Sequence, residues 1–177
     1  MASSSYKEIG KAIADELRQV PGIGQVHEFQ RYAHDLAKYL GFFKTEGSGG
    51  KDRILGWMVT RESASEGLGS AAAAAPGSFV PAGTNRRVHT FLLFGVMGLE
   101  DGTATELEFQ DLIEAVCDHF RDNNVLQLLD TEGKRRVATL ERLQPPQLDA
   151  VDVRQFGAAL CHAAEIRIQA IERVVRA

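Results

Sequence analysis

Arg87-Val-His-Thr-Phe-Leu-Leu-Phe-Gly-Val-Met-Gly98, followed through a short acidic turn by the segment that ends near Arg121, is the stretch whose reading decides the fold. Residues 87–98 alternate loosely and then become almost wholly apolar, which predicts a central strand covered on both faces for part of its length. Leu99-Glu-Asp-Gly102 reads as a turn, and Thr103-Ala-Thr-Glu106 offers a capping box in which Thr103 accepts from a backbone N–H and Glu106 reaches back. A helix is predicted from there. Phe109, Leu112, Ile113, Val116, Cys117 and Phe120 fall on one stripe, while Glu108, Asp111, Glu114 and Asp118 lie off it. A strand leading into a helix with a sheet-facing stripe predicts an α+β domain. No chemistry is written in this unit.

Moving toward the N-terminus, Tyr6, Ile9, Ile13, Leu17 and Val20 share one face of a second amphipathic helix over 4–20, capped by Ser4 or Ser5 and stopped at Pro21-Gly22. Val26-His-Glu-Phe29 reads as a short strand, residues 31–43 return to helical spacing, and Arg53-Ile-Leu-Gly-Trp-Met-Val-Thr60 is a strand rich in large apolar groups. From Ser63 to Gly83, 17 of 21 residues are Ala, Gly, Ser or Pro, too little apolar side chain for a core of its own. This predicts a long flexible loop at about 62–86. Beyond the central helix, 125–143 fits either a short helix and a strand or two helical turns, and 148–156 alternates as an extended segment. In the last element, Leu160, His162, Ala164, Ile166, Ile168 and Ala170 alternate with polar residues, as in a strand buried on one face. The whole pattern predicts one α+β domain over 1–177, a mainly antiparallel sheet packed by amphipathic helices.

Composition narrows the function classes. At 177 residues with 44% hydrophobic and 25% charged residues, the chain is long enough for a core without metals or disulfides. A net charge of −4 argues against a dedicated nucleic-acid binder. Cys117 and Cys161 match no metal-ligand spacing and read as reduced core residues. With no basic leader ahead of an apolar run and no stretch of about 18 apolar residues, neither secretion by that route nor a membrane span is expected.

No enzyme motif is complete in the sequence. Gly47-Ser-Gly-Gly-Lys-Asp52 suggests a phosphate loop, but the first glycine of that motif would fall at Thr45, and Asp52 stands where Ser or Thr should hold the metal. His27-Glu28 begins like a zinc-protease helix, yet the second histidine would have to be Arg31. His89 and His162 lie in neighbouring predicted strands, so a small metal-dependent site of His27, His89 and His162 is the enzymatic alternative, without a clear further ligand. There is no Gly-x-Ser-x-Gly elbow and no cysteine beside an evident base. No catalytic residue, cofactor or resident metal is therefore expected.

The order of features is informative where motifs are absent. The helix ending in Pro21-Gly-Ile-Gly24, then Val26-His-Glu-Phe-Gln-Arg-Tyr32, Gly56-Trp-Met-Val-Thr-Arg61, Arg87-Val-His-Thr-Phe91, Gly98-Leu99 with Thr105-Glu-Leu-Glu-Phe-Gln-Asp-Leu-Ile-Glu-Ala-Val-Cys117, and Phe156-Gly-Ala-Ala-Leu-Cys-His162 cover most of the chain. In this order the chain resembles the tail terminator proteins of long-tailed bacteriophages. The resemblance implies a structural protein rather than an enzyme: a homo-oligomeric, hexameric ring on the last ring of the tail tube, ending tube growth and joining tail to head. Its partners would be further copies of itself, the tail tube protein and a head-completion or connector protein, with DNA only passing through the lumen and no membrane involved. It would be assembled in the bacterial host cytoplasm and reside at the tail–neck junction of the virion. A head–tail connector of the same virion is the related alternative. A head-to-tail ring needs two unlike patches on each copy. The basic residues Arg86, Arg87, Lys134, Arg135 and Arg136 and the acidic helix face of Glu108, Asp111, Glu114 and Asp118 are the candidates for them.

Overall fold

The computed structural model describes residues 5–46, 52–68, 83–100, 104–124, 126 and 139–176. Its elements, in order, are α1 (Ser5–Leu17), β1 (Gln25–His27), α2 (Leu36–Gly41), β2 (Lys44–Glu46), β3 (Asp52–Leu68), β4 (Gly83–Gly98), α3 (Thr105–Asp122), β5 (Leu140–Leu143), β6 (Gln147–Phe156) and β7 (Ala159–Arg176). The strands form one seven-stranded sheet of order β1-β3-β4-β7-β5, with β2 added along β3 and β6 along β7. All pairings are antiparallel except β1 on β3. The α+β class and the mainly antiparallel sheet are as the sequence pattern predicts.

The centre is β4, paired with β3 on one side and with β7 along its whole length on the other. Alternation sends Phe91, Leu93 and Met97 to the face covered by α1 and α3, where they join Ile9, Ile13, Leu17, Ile113 and Phe120. Phe94 and Val96 point the other way and meet Met58, Phe43 and Tyr39 beneath α2. Both faces of 94–97 are therefore covered, which is why the sequence loses its alternation there. On β7, His162, Ala164, Ile166, Ile168 and Ala170 are buried on the expected face, and Glu172 is buried beyond them. Leu160, assigned to the same row, stays about half exposed.

Two local expectations are corrected, and a third falls partly outside the described residues. Of the loop expected at about 62–86, residues 62–68 belong to β3 and 83–86 to β4, paired from Ser63↔Thr90 to Leu68↔Asn85 after a register shift between Arg61 and Ser63. Small residues lack side chains to bury, but here β4, itself held by β7, supplies a ladder partner for their backbone, and context overrides composition. Residues 69–82, between the two strands, lie outside the described residues. The capping box expected over 103–106 rests on Thr103, which lies outside the described residues; α3 begins after Ala104, which adopts φ 51° with no side-chain cap. Thr105 is drawn inward instead, where its Oγ1 accepts from the Glu100 N–H at 3.1 Å. The helix expected over 31–43 is only Leu36–Gly41. Arg31 stays outside it because its guanidinium sits over the Phe42 ring at 4.1 Å and its N–H reaches the Met58 sulfur at 3.3 Å. The ambiguous 125–143 contributes β5 at its end, and Leu126 is buried.

Two close approaches set the sheet's geometry. Gly95 lies opposite Trp57, and a Cβ on it would stand 2.6 Å from the indole ring. Gly24, at φ 77°, would put a Cβ 2.3 Å from the Leu55 carbonyl oxygen, so only glycine lets the chain pass into β1 here. Gly95→Ala should cost about 1–3 kcal/mol through overpacking, read as a lowered urea midpoint with an unchanged slope.

Cys117 and Cys161 are buried free thiols, as expected of core residues. Burial pushes both thiols up from their ordinary range, and at Cys117 nearby Arg121 only partly opposes it. A raised value means that the unfolded chain ionises first as pH rises. The stability gained by keeping these thiols neutral is complete below about pH 8.5 and is lost above it. Urea midpoints measured from pH 7 to 10 should fall above that point, and fall less in a Cys117→Ala/Cys161→Ala variant.

Candidate assembly surfaces

The basic and acidic residues proposed as two patches are distributed differently in the fold. Arg86 and Arg87 are successive residues of β4 and point to opposite faces, so they form no single patch. Arg86 Nε lies 3.0 Å from Glu141, and Arg87 is held by Glu66 at 2.8 Å and faces Glu172 at 3.6 Å. Lys134, Arg135 and Arg136 lie outside the described residues. On α3, Glu108 pairs with Arg53 at 2.6 Å, Asp118 pairs with Arg121 within the helix, and Asp111 and Glu114 face solvent.

The histidines of the enzymatic alternative do not converge. His27 Nε2 is 2.8 Å from the Phe42 carbonyl oxygen. His89 is paired with Ala170 of β7 and His162 with Met97 of β4, which separates the two histidines by roughly 26 Å along the sheet. His162 Nε2 lies 3.1 Å from Thr105 Oγ1, and its ring stacks on Phe109. Among the described residues no group of three His, Cys, Asp or Glu side chains is placed to hold a metal ion. The three-histidine site is corrected: each ring is engaged in its own part of the fold.

The most polar buried cluster belongs to His89. Its Nε2 is 2.9 Å from Glu172 Oε2, and the Thr139 hydroxyl donates to Glu172 Oε1 at 3.1 Å. This cluster lies where β4 pairs with both β3 and β7, with His89 opposite Ala64 and Ala170, so it ties these strands together internally. Alternation placed His89 on the buried face, but Glu172 sits 83 positions away, and nothing in the sequence pairs the two. His89→Ala removes a buried partner of the carboxylate and should cost about 2–3 kcal/mol, read as a lowered thermal midpoint.

Two clefts that sequence reasoning missed flank the helices. One, of about 510 Å³, lies between α1, residues 28–30 and the outer side of β3. Tyr6, expected on the buried stripe, stands at its wall with the Arg61 guanidinium over its ring at 4.0 Å. Lys7 and Lys11 complete a basic rim, and Phe29 is 58% exposed beside them. The other, of about 360 Å³, lies between the start of α3 and β6. Glu100, Glu106 and Asp152 rim it, and Val151, Val153 and His162 form its floor. Among the described residues β6 is an edge strand that pairs with β7 alone, and it leaves Leu148, Val151 and Val153 partly exposed. Alternation in 148–156 gave the strand but not its place at the edge.

On the sheet face away from α1 and α3, Arg167 bridges Glu62 of β3 and Asp149 of β6, with the Glu62 contact at 2.6 Å. The hydrogen bond to Glu62, with Asp149 adding to it, raises the pKa of this guanidinium. Among the described residues no helix is long and apolar enough to cross a membrane. No family model and no curated protein matches this chain.

Proposed function

We propose that this chain is a structural virion assembly protein of the tail-terminator kind, a ring-forming subunit that caps the phage tail tube and joins tail to head. The observation that carries this reading is the sheet's two unlike ends: β6, an apolar-bearing edge, on one side, and β3 with β1 and β2 on the other. Unlike ends favour head-to-tail contact, and head-to-tail contact that closes produces a ring. The sequence resemblance supplies the place of that ring, its expected six-fold count, and its partners, the tail tube protein and the head-completion protein. DNA would pass through the lumen, and the net charge of −4 suits a channel that lets it slide. A head–tail connector shares every physical argument here and differs only in which partner it meets.

Electron microscopy of phage particles made with and without this protein separates the readings. Tails of uncontrolled length in its absence are the expected result. Tails of normal length that fail to join heads would assign it to the connector role. Normal, infectious particles would remove it from tail assembly.

A further inference from the structure

The two clefts are opposite in charge and sit at opposite flanks of the helical layer. α1 packs on β3 and β1, whereas α3 packs on β4 and β7, so the α1 cleft opens toward one end of the sheet and the α3 cleft toward the other. The α1 cleft carries Lys7, Lys11 and Arg61 against one carboxylate, Glu28, which is itself held by Arg18 at 3.2 Å. The described lining of the α3 cleft carries Glu100, Glu106 and Asp152, the last held by Arg154 at 3.0 Å from outside the lining, and no Lys or Arg of its own. Each cleft also has an apolar projection at or beside its rim. Phe29 is 58% exposed at the first, and Leu107, next to Glu106 in the first turn of α3, is 67% exposed at the second.

From this geometry we propose that the α1 cleft of one copy is the docking site for the α3–β6 flank of the next copy. The inference rests on the ring reading above and names the surfaces that would build the ring. Opposite potentials on two different flanks disfavour a twofold contact, in which each cleft would meet its like charge, and favour the head-to-tail one. Phe29 and Leu107 supply apolar contacts of the kind found at the centre of an interface, and the lysines and carboxylates supply a polar rim that sets orientation. The occupant is thus a second copy of this chain.

The test is a charge swap on the full chain, read by sedimentation across a concentration series. Lys7→Glu/Lys11→Glu makes both clefts acidic, and Glu106→Lys/Asp152→Lys turns the acidic cleft basic. These side chains are exposed, and among the described residues only Asp152 is in an ion pair, an exposed one with Arg154 that contributes little, so both variants should keep the wild-type circular dichroism and shift the thermal midpoint little. Each alone should need at least about tenfold more protein than the wild type to assemble. Mixed in equal amounts they should assemble again, because every contact then pairs an acidic with a basic cleft. Wild-type-like assembly of either variant alone, or folded variants that stay apart when mixed, would overturn the cleft contact while leaving the tail-length experiment to judge the ring reading. A wild type that is monomeric at every concentration would count against both.

Discussion

The indole of Trp57 lying over Gly95 is the constraint on which the rest of the structure depends. The two residues face each other across β3 and β4, and the ring occupies the space a side chain at 95 would need. From there Trp57 reaches Phe109 of α3 at 6.1 Å, and Phe109 stacks on His162 of β7 at 6.0 Å. One side chain thus fixes the separation of two strands, the seat of the main helix and, through Phe109, the alignment of a third strand. Its Nε1 is buried with no hydrogen-bond partner among the described residues. An unmade bond of this kind costs about 1–3 kcal/mol, so the position is held by packing rather than polarity. Burial of the indole, more than 150 Å² for a typical aromatic, offsets that cost.

This explains why the central stretch is legible and its neighbours are less so. Residues 87–98 announce a doubly covered strand because Phe91, Leu93 and Met97 meet a wall on one face and Phe94 and Val96 on the other. Residues 62–68 say nothing of the kind. Their side chains are small or charged, and they become strand only because β4 offers a ladder and Arg87 offers Glu66 a partner at 2.8 Å. Composition reports what a segment can bury, not what its backbone can bond to, so the loop read at 62–86 was too long at both ends. The start of α3 holds another contact that no local pattern displays. Thr105 is recruited by Glu100 and His162, a contact spanning 57 positions that no local capping rule contains.

Charges were legible as residues and illegible as pairs. Arg86 and Arg87 look like a basic cluster in sequence, but in a strand adjacent residues part to opposite faces, and each finds a carboxylate within its own chain. The acidic row on α3 is likewise partly spent on Arg53 and Arg121. What the sequence could not display is charge that gathers from separate elements. Lys7 and Lys11 on α1 join Arg61 from β3, and Glu106 on α3 joins Asp152 from β6. Such groupings exist only once the sheet order is set.

That order bears on assembly in a way a local motif could not. An isolated edge such as β6, with Val151 and Val153 partly bare, is an aggregation hazard that native proteins blunt by charge or by cover. Asp149 and Asp152 supply some charge, but Asp149 is tied to Arg167 and Asp152 to Arg154 at 3.0 Å, which mutes both. In the proposed head-to-tail ring each copy would receive cover from its neighbour without leaving a free end. The unlike flanks that make an open filament possible are the same ones that let a ring close, and curvature decides between them.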